Sequence, residues 1–198
     1  MTLRRAVDGL VDGGRLLRRQ GAGTFVAATT RAVAQRLSAS SFSADMRARG
    51  LRPGSRTLAT RESPAGVVLS AVLGVPPSSP VLFVRRLRTA DDDAMALEDL
   101  HVPCDVAPGL TGADLDGASF YQLLADRYGT PVVGGTQTAE PTLVTVDDAV
   151  ELGVSAGAPA FCFERTSRRR DGRIVEYVRS IYRGDRYRIV VDIFPPGG

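Results

Sequence analysis

Two arginines two residues apart, Arg86 and Arg88, lie in a run over 81–89 (VLFVRRLRT) that reads as a β-strand. Strand alternation puts both guanidiniums on one face. Two guanidiniums so placed can jointly grip a phosphate or a carboxylate. Glu98 falls in the neighbouring run, 94–102, and can accept hydrogen bonds from hydroxyl groups. Glu176, Ser180 and Tyr182 share one face of a later run, 174–182. Tyr121 starts a helical stretch over 119–128, beside Ser119. Ser41 and Ser43 stand at the N-terminus of a short helix over 41–50, where free amides and the helix dipole favour an anion. These residue types suit binding of a small hydroxylated anion. A purely structural reading stays open beside it: Arg86 and Arg88 pair with Glu98 and Glu176 to satisfy a sheet face, and Ser43 only caps its helix.

Catalytic and metal chemistry are poorly supplied. His101 is the only histidine. Cys104 and Cys162 form no CxxC motif and fall in apolar runs, so they read as buried free thiols rather than metal ligands or a disulfide. Asp91, Asp92 and Asp93 read as a solvated hairpin tip, since no glycine-spaced calcium pattern surrounds them. Arg168, Arg169 and Arg170 read as a solvated loop, and Arg183 with Asp185 as an ion pair holding a turn. No nucleophile–base pair stands out, and no metal or cofactor is expected.

The elements that must position these residues alternate between strands and helices. Pro53-Gly54 reads as a turn before a strand over 55–61. A helix over 64–73 ends at Gly74. The strands over 81–89 and 94–102 form a hairpin about the three aspartates. The helix over 119–128 has Ser119 as its cap and stops at Gly129. Residues 132–141 are extended, and 145–152 form a helix between a Thr145 cap and a Gly153 stop. Three further strands cover 160–168, 174–182 and 187–193. Hairpins interrupted by helices imply an α+β fold, an antiparallel sheet flanked by helices.

The chain of 198 residues is long enough for one substantial core plus an appendage. No apolar run approaches the roughly 20 residues of a membrane span, and no signal-peptide pattern is present, so a cytoplasmic protein is expected. All 25 basic residues are arginine, and they are unevenly placed: residues 1–56 carry a net charge of +8 and the rest −5. A basic N-terminal end suits a polyanion such as nucleic acid. Within it, Leu3, Ala6, Val7, Leu10 and Val11 form an apolar helical stripe ended by Gly13-Gly14. A short hairpin follows, with a basic, glycine-rich tip at Gln20-Gly21-Ala22-Gly23. Helix then hairpin is the second half of a winged helix.

The segments MTLRRAV and RRQGAGTFVA resemble the recognition helix and wing of the GntR family of transcription regulators. The resemblance implies that Thr2, Arg4 and Arg5 face the DNA, with Arg18, Arg19, Gln20 and Gly21 at the wing. In that family two helices precede the recognition helix, so operator DNA is the expected partner when they complete the head. The segments SFSADMRARGLRPGS, LGVPPSSPVLFVRRLR, MALEDLHVP, FYQLLADRYG and VEYVRSIYRGDRYRI resemble the UTRA effector-binding domain of the HutC subfamily. That resemblance implies a chorismate lyase-like α+β domain used for binding, preceded by a partial winged helix. The implied division is 1–28 for the partial winged helix, 29–40 for a linker and 41–198 for the effector domain. It places Arg86, Arg88, Glu98, Ser119, Tyr121, Glu176 and Tyr182 around a small-molecule effector, with Ser41, Phe42 and Ser43 near its anionic group. A phosphosugar, a sugar acid or another small anion is expected, sensed by a homodimeric repressor. A lyase-type enzyme sharing the fold, and a sensor or dimerisation module that does not itself bind DNA, are the alternatives.

Overall fold

The computed structural model describes residues 3–12, 16–19, 21, 23–26, 33–36 and 41–190. The N-terminal piece has the expected order. Helix α1 (Leu3–Asp12) is followed by strands β1 (Leu16–Arg19) and β2 (Gly23–Val26), which pair antiparallel with Leu16 opposite Val26. Gly21 at the tip has φ +78°, a conformation glycine adopts without strain. Arg5 and Arg18 are exposed, and Arg18 donates to Asp8 at 2.7 Å. Arg4 lies in α1 and Arg19 in β1. Thr2 and Gln20 lie outside the described residues.

Residues 33–36 form a strand, β3 (Val33–Arg36), which pairs in parallel with β10 (Tyr187–Val190). A partner from the far end of the chain supplies its backbone bonds, a pairing with no local sequence signature. Helix α2 (Phe42–Ala48) follows, and Ser41 caps it by accepting from the Ala44 amide at 3.2 Å.

The main body is a six-stranded sheet in the order β4-β5-β6-β9-β8-β7, antiparallel throughout. Its strands are β4 (Pro53–Pro64), β5 (Pro80–Ala90), β6 (Asp93–Pro103), β7 (Gly134–Leu143), β8 (Pro159–Arg168) and β9 (Ile174–Arg183). Pro53 and Gly54 belong to β4 and are not a turn. Gly54 lies opposite Thr89, and a Cβ there would meet the Thr89 hydroxyl at 2.2 Å, so the glycine allows a close approach within the sheet. The β5–β6 hairpin turns as expected at the exposed Asp91 and Asp92, both with positive φ (50° and 68°). Two such residues make a mirror-image turn that fits the strand twist.

Four helices cover the sheet. On one face Leu82, Val84, Leu100 and Val102 pack against Leu115, Phe120 and Leu124. The last two belong to α4 (Phe120–Asp126), which ends two residues earlier than the expected 128. Leu115 comes from a single 3₁₀ turn, Ala113–Leu115, that the sequence reading missed. Met46 of α2 packs on the same face with Ala96 and Tyr182. On the other face α5 (Val146–Leu152), capped by Thr145, packs Ala149 and Leu152 on Leu87, Leu97 and Ile181. Helix α3 (Gly66–Leu73) seats Leu73 on Val81 there. Both end at glycines in the left-handed conformation, Gly153 and Gly74. Among the described residues no helix is long and apolar enough to cross a membrane.

Candidate functional site

Sheet register brings the polar residues together. Arg86 on β5 lies opposite Glu98 on β6, Glu98 opposite Ser180 on β9, and Ser180 opposite Phe163 on β8. Two residues along the same faces come Arg88, Val178 and Tyr182. Helices α2 and α4 roof this face, leaving a cavity between them and the sheet. Ser41, Phe42, Arg86, Arg88, Glu98, Ser119, Tyr121, Glu176 and Tyr182 all line it. Ser43 does not, but it is buried and accepts from Arg88 Nη2 at 3.0 Å. So Ser41 is the capping serine, and Ser43 holds an arginine.

Ser119 departs from its expected role. It makes no side-chain cap bond on α4; its hydroxyl donates to Ser41 Oγ at 3.3 Å, tying the two roofing helices together. Arg86 donates from Nε to Glu98 Oε1 at 2.9 Å and also from Nη2. Half of the structural alternative therefore holds: Arg86 pairs with Glu98. Glu176 does not pair with either arginine. Its Oε1 accepts from Tyr121 (2.8 Å) and Ser167 (2.7 Å), whose hydroxyls also contact each other at 2.6 Å.

The sequence reading overlooked Arg165 and Gln137. Arg165 donates from Nε to Gln137 Oε1 at 2.7 Å and from Nη1 to the Tyr121 hydroxyl at 3.2 Å. Phe163, Arg165 and Ser167 alternate on β8, a period-two signal that pointed to a shared face. The cavity thus has two ends. Arg86 and Arg88, with the Ser41 and Ser119 hydroxyls, form one. Glu176, Tyr121, Gln137 and Arg165 form the other.

The cavity carries three guanidiniums against two carboxylates, a positive surplus before any ligand enters. Burial, and then the neighbouring Arg86, push Arg88 down to about 10, still charged at neutral pH. Burial would raise Glu98, but Arg86 and Arg88 beside it and the bond from Arg86 hold its carboxyl below the usual value. Burial raises Glu176 against the pull of Arg165 and its two hydroxyl donors. Burial and the nearby Glu98 push the Tyr182 phenol up to about 12. Arg86 and Arg88 are each 2% exposed, yet Arg86 Nη1 and Arg88 Nε have no hydrogen-bond partner. A buried donor left unpaired costs about 1–3 kcal/mol. An anion lodged between the two arginines would relieve that cost. Among the described residues no group of His, Cys, Asp or Glu could hold a metal ion.

Features outside the cavity settle more simply. Arg183 pairs with Asp185 (2.7 Å) across the turn, as expected. Cys104 and Cys162 are free but half-buried rather than fully buried. Arg169 binds Asp171 within its own loop.

Comparison with known proteins agrees with the fold. The UTRA domain model matches residues 48–188. The HTH-type transcriptional repressor NagR of Bacillus subtilis is 35% identical over 191 residues, covering 96% of this chain and 77% of that protein. The HTH-type transcriptional repressor PhnF of Mycolicibacterium smegmatis is 34% identical over 185 residues, covering 93% of this chain and 74% of that protein. The crystal structure of PhnF from Mycobacterium smegmatis superposes with a TM-score of 0.77 at 32% identity, over 97% of this chain and 84% of that one. Its effector domain alone gives 0.77 at 31% identity, over 82% of this chain and all of that one. A small-molecule-binding α+β domain behind a helix and hairpin is the architecture of a one-component transcription regulator. The chain belongs to the UTRA-domain family of GntR-type transcriptional regulators. That class, and not the lyase-type enzyme, is the one supported.

Proposed function

We propose that this chain senses a small anionic metabolite in the cavity between α2, α4 and the sheet, and that occupancy controls binding of operator DNA by a homodimeric repressor. The observation that carries it is the pair of buried, unpartnered donors on Arg86 and Arg88, set in a cavity with surplus positive charge. The anionic group sits against Arg86 and Arg88, with the Ser41 and Ser119 hydroxyls and the Phe42 ring around it. Ser43 holds Arg88 in place. Glu98, Tyr182, Tyr121 and Glu176 receive the hydroxylated body. A phosphosugar or sugar acid has both parts. Arg4, Arg5, Arg18, Arg19 and Gly21, with Thr2 and Gln20, serve the DNA through the recognition helix and wing. A cytoplasmic location follows from that role. Relatives named as repressors support the control step, and helix-turn-helix proteins read paired half-sites as dimers.

Thermal melting of the protein against matched pairs of hexoses and hexose 6-phosphates tests this. The phosphorylated sugar should raise the Tm in a concentration-dependent way, because a ligand bound only to the folded state stabilises it. Equal effects of the neutral sugar and its phosphate would refute the anion reading.

A further inference from the structure

We propose that Tyr187 couples the cavity to the strand that leads toward the DNA-binding piece, acting as a positioning residue rather than a ligand contact. The inference rests on the sensing role proposed above and specifies how that site is regulated.

Tyr187 opens β10 and is 2% exposed. Its ring packs on two cavity-lining side chains, with centroids 4.4 Å from Tyr182 and 6.0 Å from Phe163. Tyr182 in turn lies 6.4 Å from Phe42, the first residue of α2 and also part of the lining. Tyr187 also shares one buried cluster with Phe42 and Met46 of α2. So one side chain touches the sheet wall of the cavity and the helix that roofs it.

The backbone of the same residue belongs to the other partner. Tyr187 lies opposite Val33 at the start of the β3–β10 ladder, which continues to Val190 opposite Arg36. Strand β3 lies between the winged hairpin and α2. It is therefore anchored twice, through the ladder to β10 and through a short stretch of chain to Ser41. Both anchors meet at Tyr187. Close-packed rings do not move independently. An occupant that bears on Tyr182 or Phe42 must therefore shift Tyr187 or be resisted by it. If the two positions differ in how well they hold the ladder, occupancy biases β3, and β3 biases occupancy by the same factor.

Tyr187→Leu is the informative variant, because it removes the ring packed on Tyr182 and Phe163 and keeps a buried apolar side chain. Amide hydrogen exchange at residues 33–36 is followed with and without saturating glucose 6-phosphate, and separately with inorganic phosphate. Binding is measured by calorimetry in parallel. In the wild type, the probe should change exchange at 33–36 by about threefold or more, as expected for a local opening coupled to binding. In Tyr187→Leu that change should largely vanish, while the dissociation constant stays within about threefold. Binding with no change at 33–36, or the same change in the variant, would overturn the coupling role while leaving the sensing role intact. Failure of both probes to bind the wild type would overturn the coupling together with the anion reading on which it rests.

Discussion

Arg88 donates from Nη2 to Ser43 Oγ at 3.0 Å, joining the central sheet to the helix that roofs the cavity, and its guanidinium lies 4.6 Å from the centre of the Phe42 ring. The serine that looked from sequence like a helix cap is therefore what aims the cation. Ser43→Ala should leave Arg88 with another buried unpaired donor. The expected cost is about 1–3 kcal/mol, read as a lower midpoint in urea unfolding with an unchanged slope.

Arg86 behaves differently, because its partner is charged. Arg86→Ala would strand Glu98 as a buried carboxylate with no ion-pair partner on the adjacent strand. Breaking a buried pair costs about 3–5 kcal/mol, so this variant should unfold far more readily than Ser43→Ala. Arg86→Met combined with Glu98→Leu should recover most of that loss, because neither charge then remains. Equal stability of the single and double variants would show that the Arg86–Glu98 pair has been misread.

The two buried glutamates should impose opposite pH dependences. Glu98 sits below its ordinary value of 4.5, so its contribution is present above that pH and is lost as pH falls through its folded value. Glu176 sits above 4.5, so the folded state is favoured below that pH and loses stability as pH rises through its folded value. Urea unfolding of wild type and Glu176→Gln across about pH 4–8, on the alkaline side of the ordinary carboxylate value, isolates the Glu176 contribution. The variant should lack the loss on the alkaline side of 4.5. Parallel curves for the two proteins would contradict the assignment.

Much of this site was legible in the sequence because its signals are local. The alternation of Arg86 and Arg88 and the triple-aspartate turn that sets the β5–β6 register each lie within one element or one hairpin. Arg165 was missed although Phe163, Arg165 and Ser167 alternate on one strand, because its partners Gln137 and Tyr121 come from other elements. Pro53-Gly54 read as a turn from composition, whereas Gly54 is there for Thr89 on the neighbouring strand. Strand β3 was taken for plain linker because its ladder partner is β10 near the other end of the chain. In each case the missing information was a contact between segments far apart in sequence.

The most direct test of the account is calorimetric titration of wild type and Arg88→Ala with the hexose 6-phosphate that most raises the wild-type Tm. Arg88 has only the neutral Ser43 and Ser55 hydroxyls as hydrogen-bond partners, so its removal leaves no carboxylate newly unpaired on the strand beside it. A charge-assisted contact is worth about 1.5–3 kcal/mol, so the variant should bind at least about tenfold more weakly while melting cooperatively like the wild type. Equal affinity of the two folded proteins would contradict the claim that this cavity senses an anion through its buried arginines.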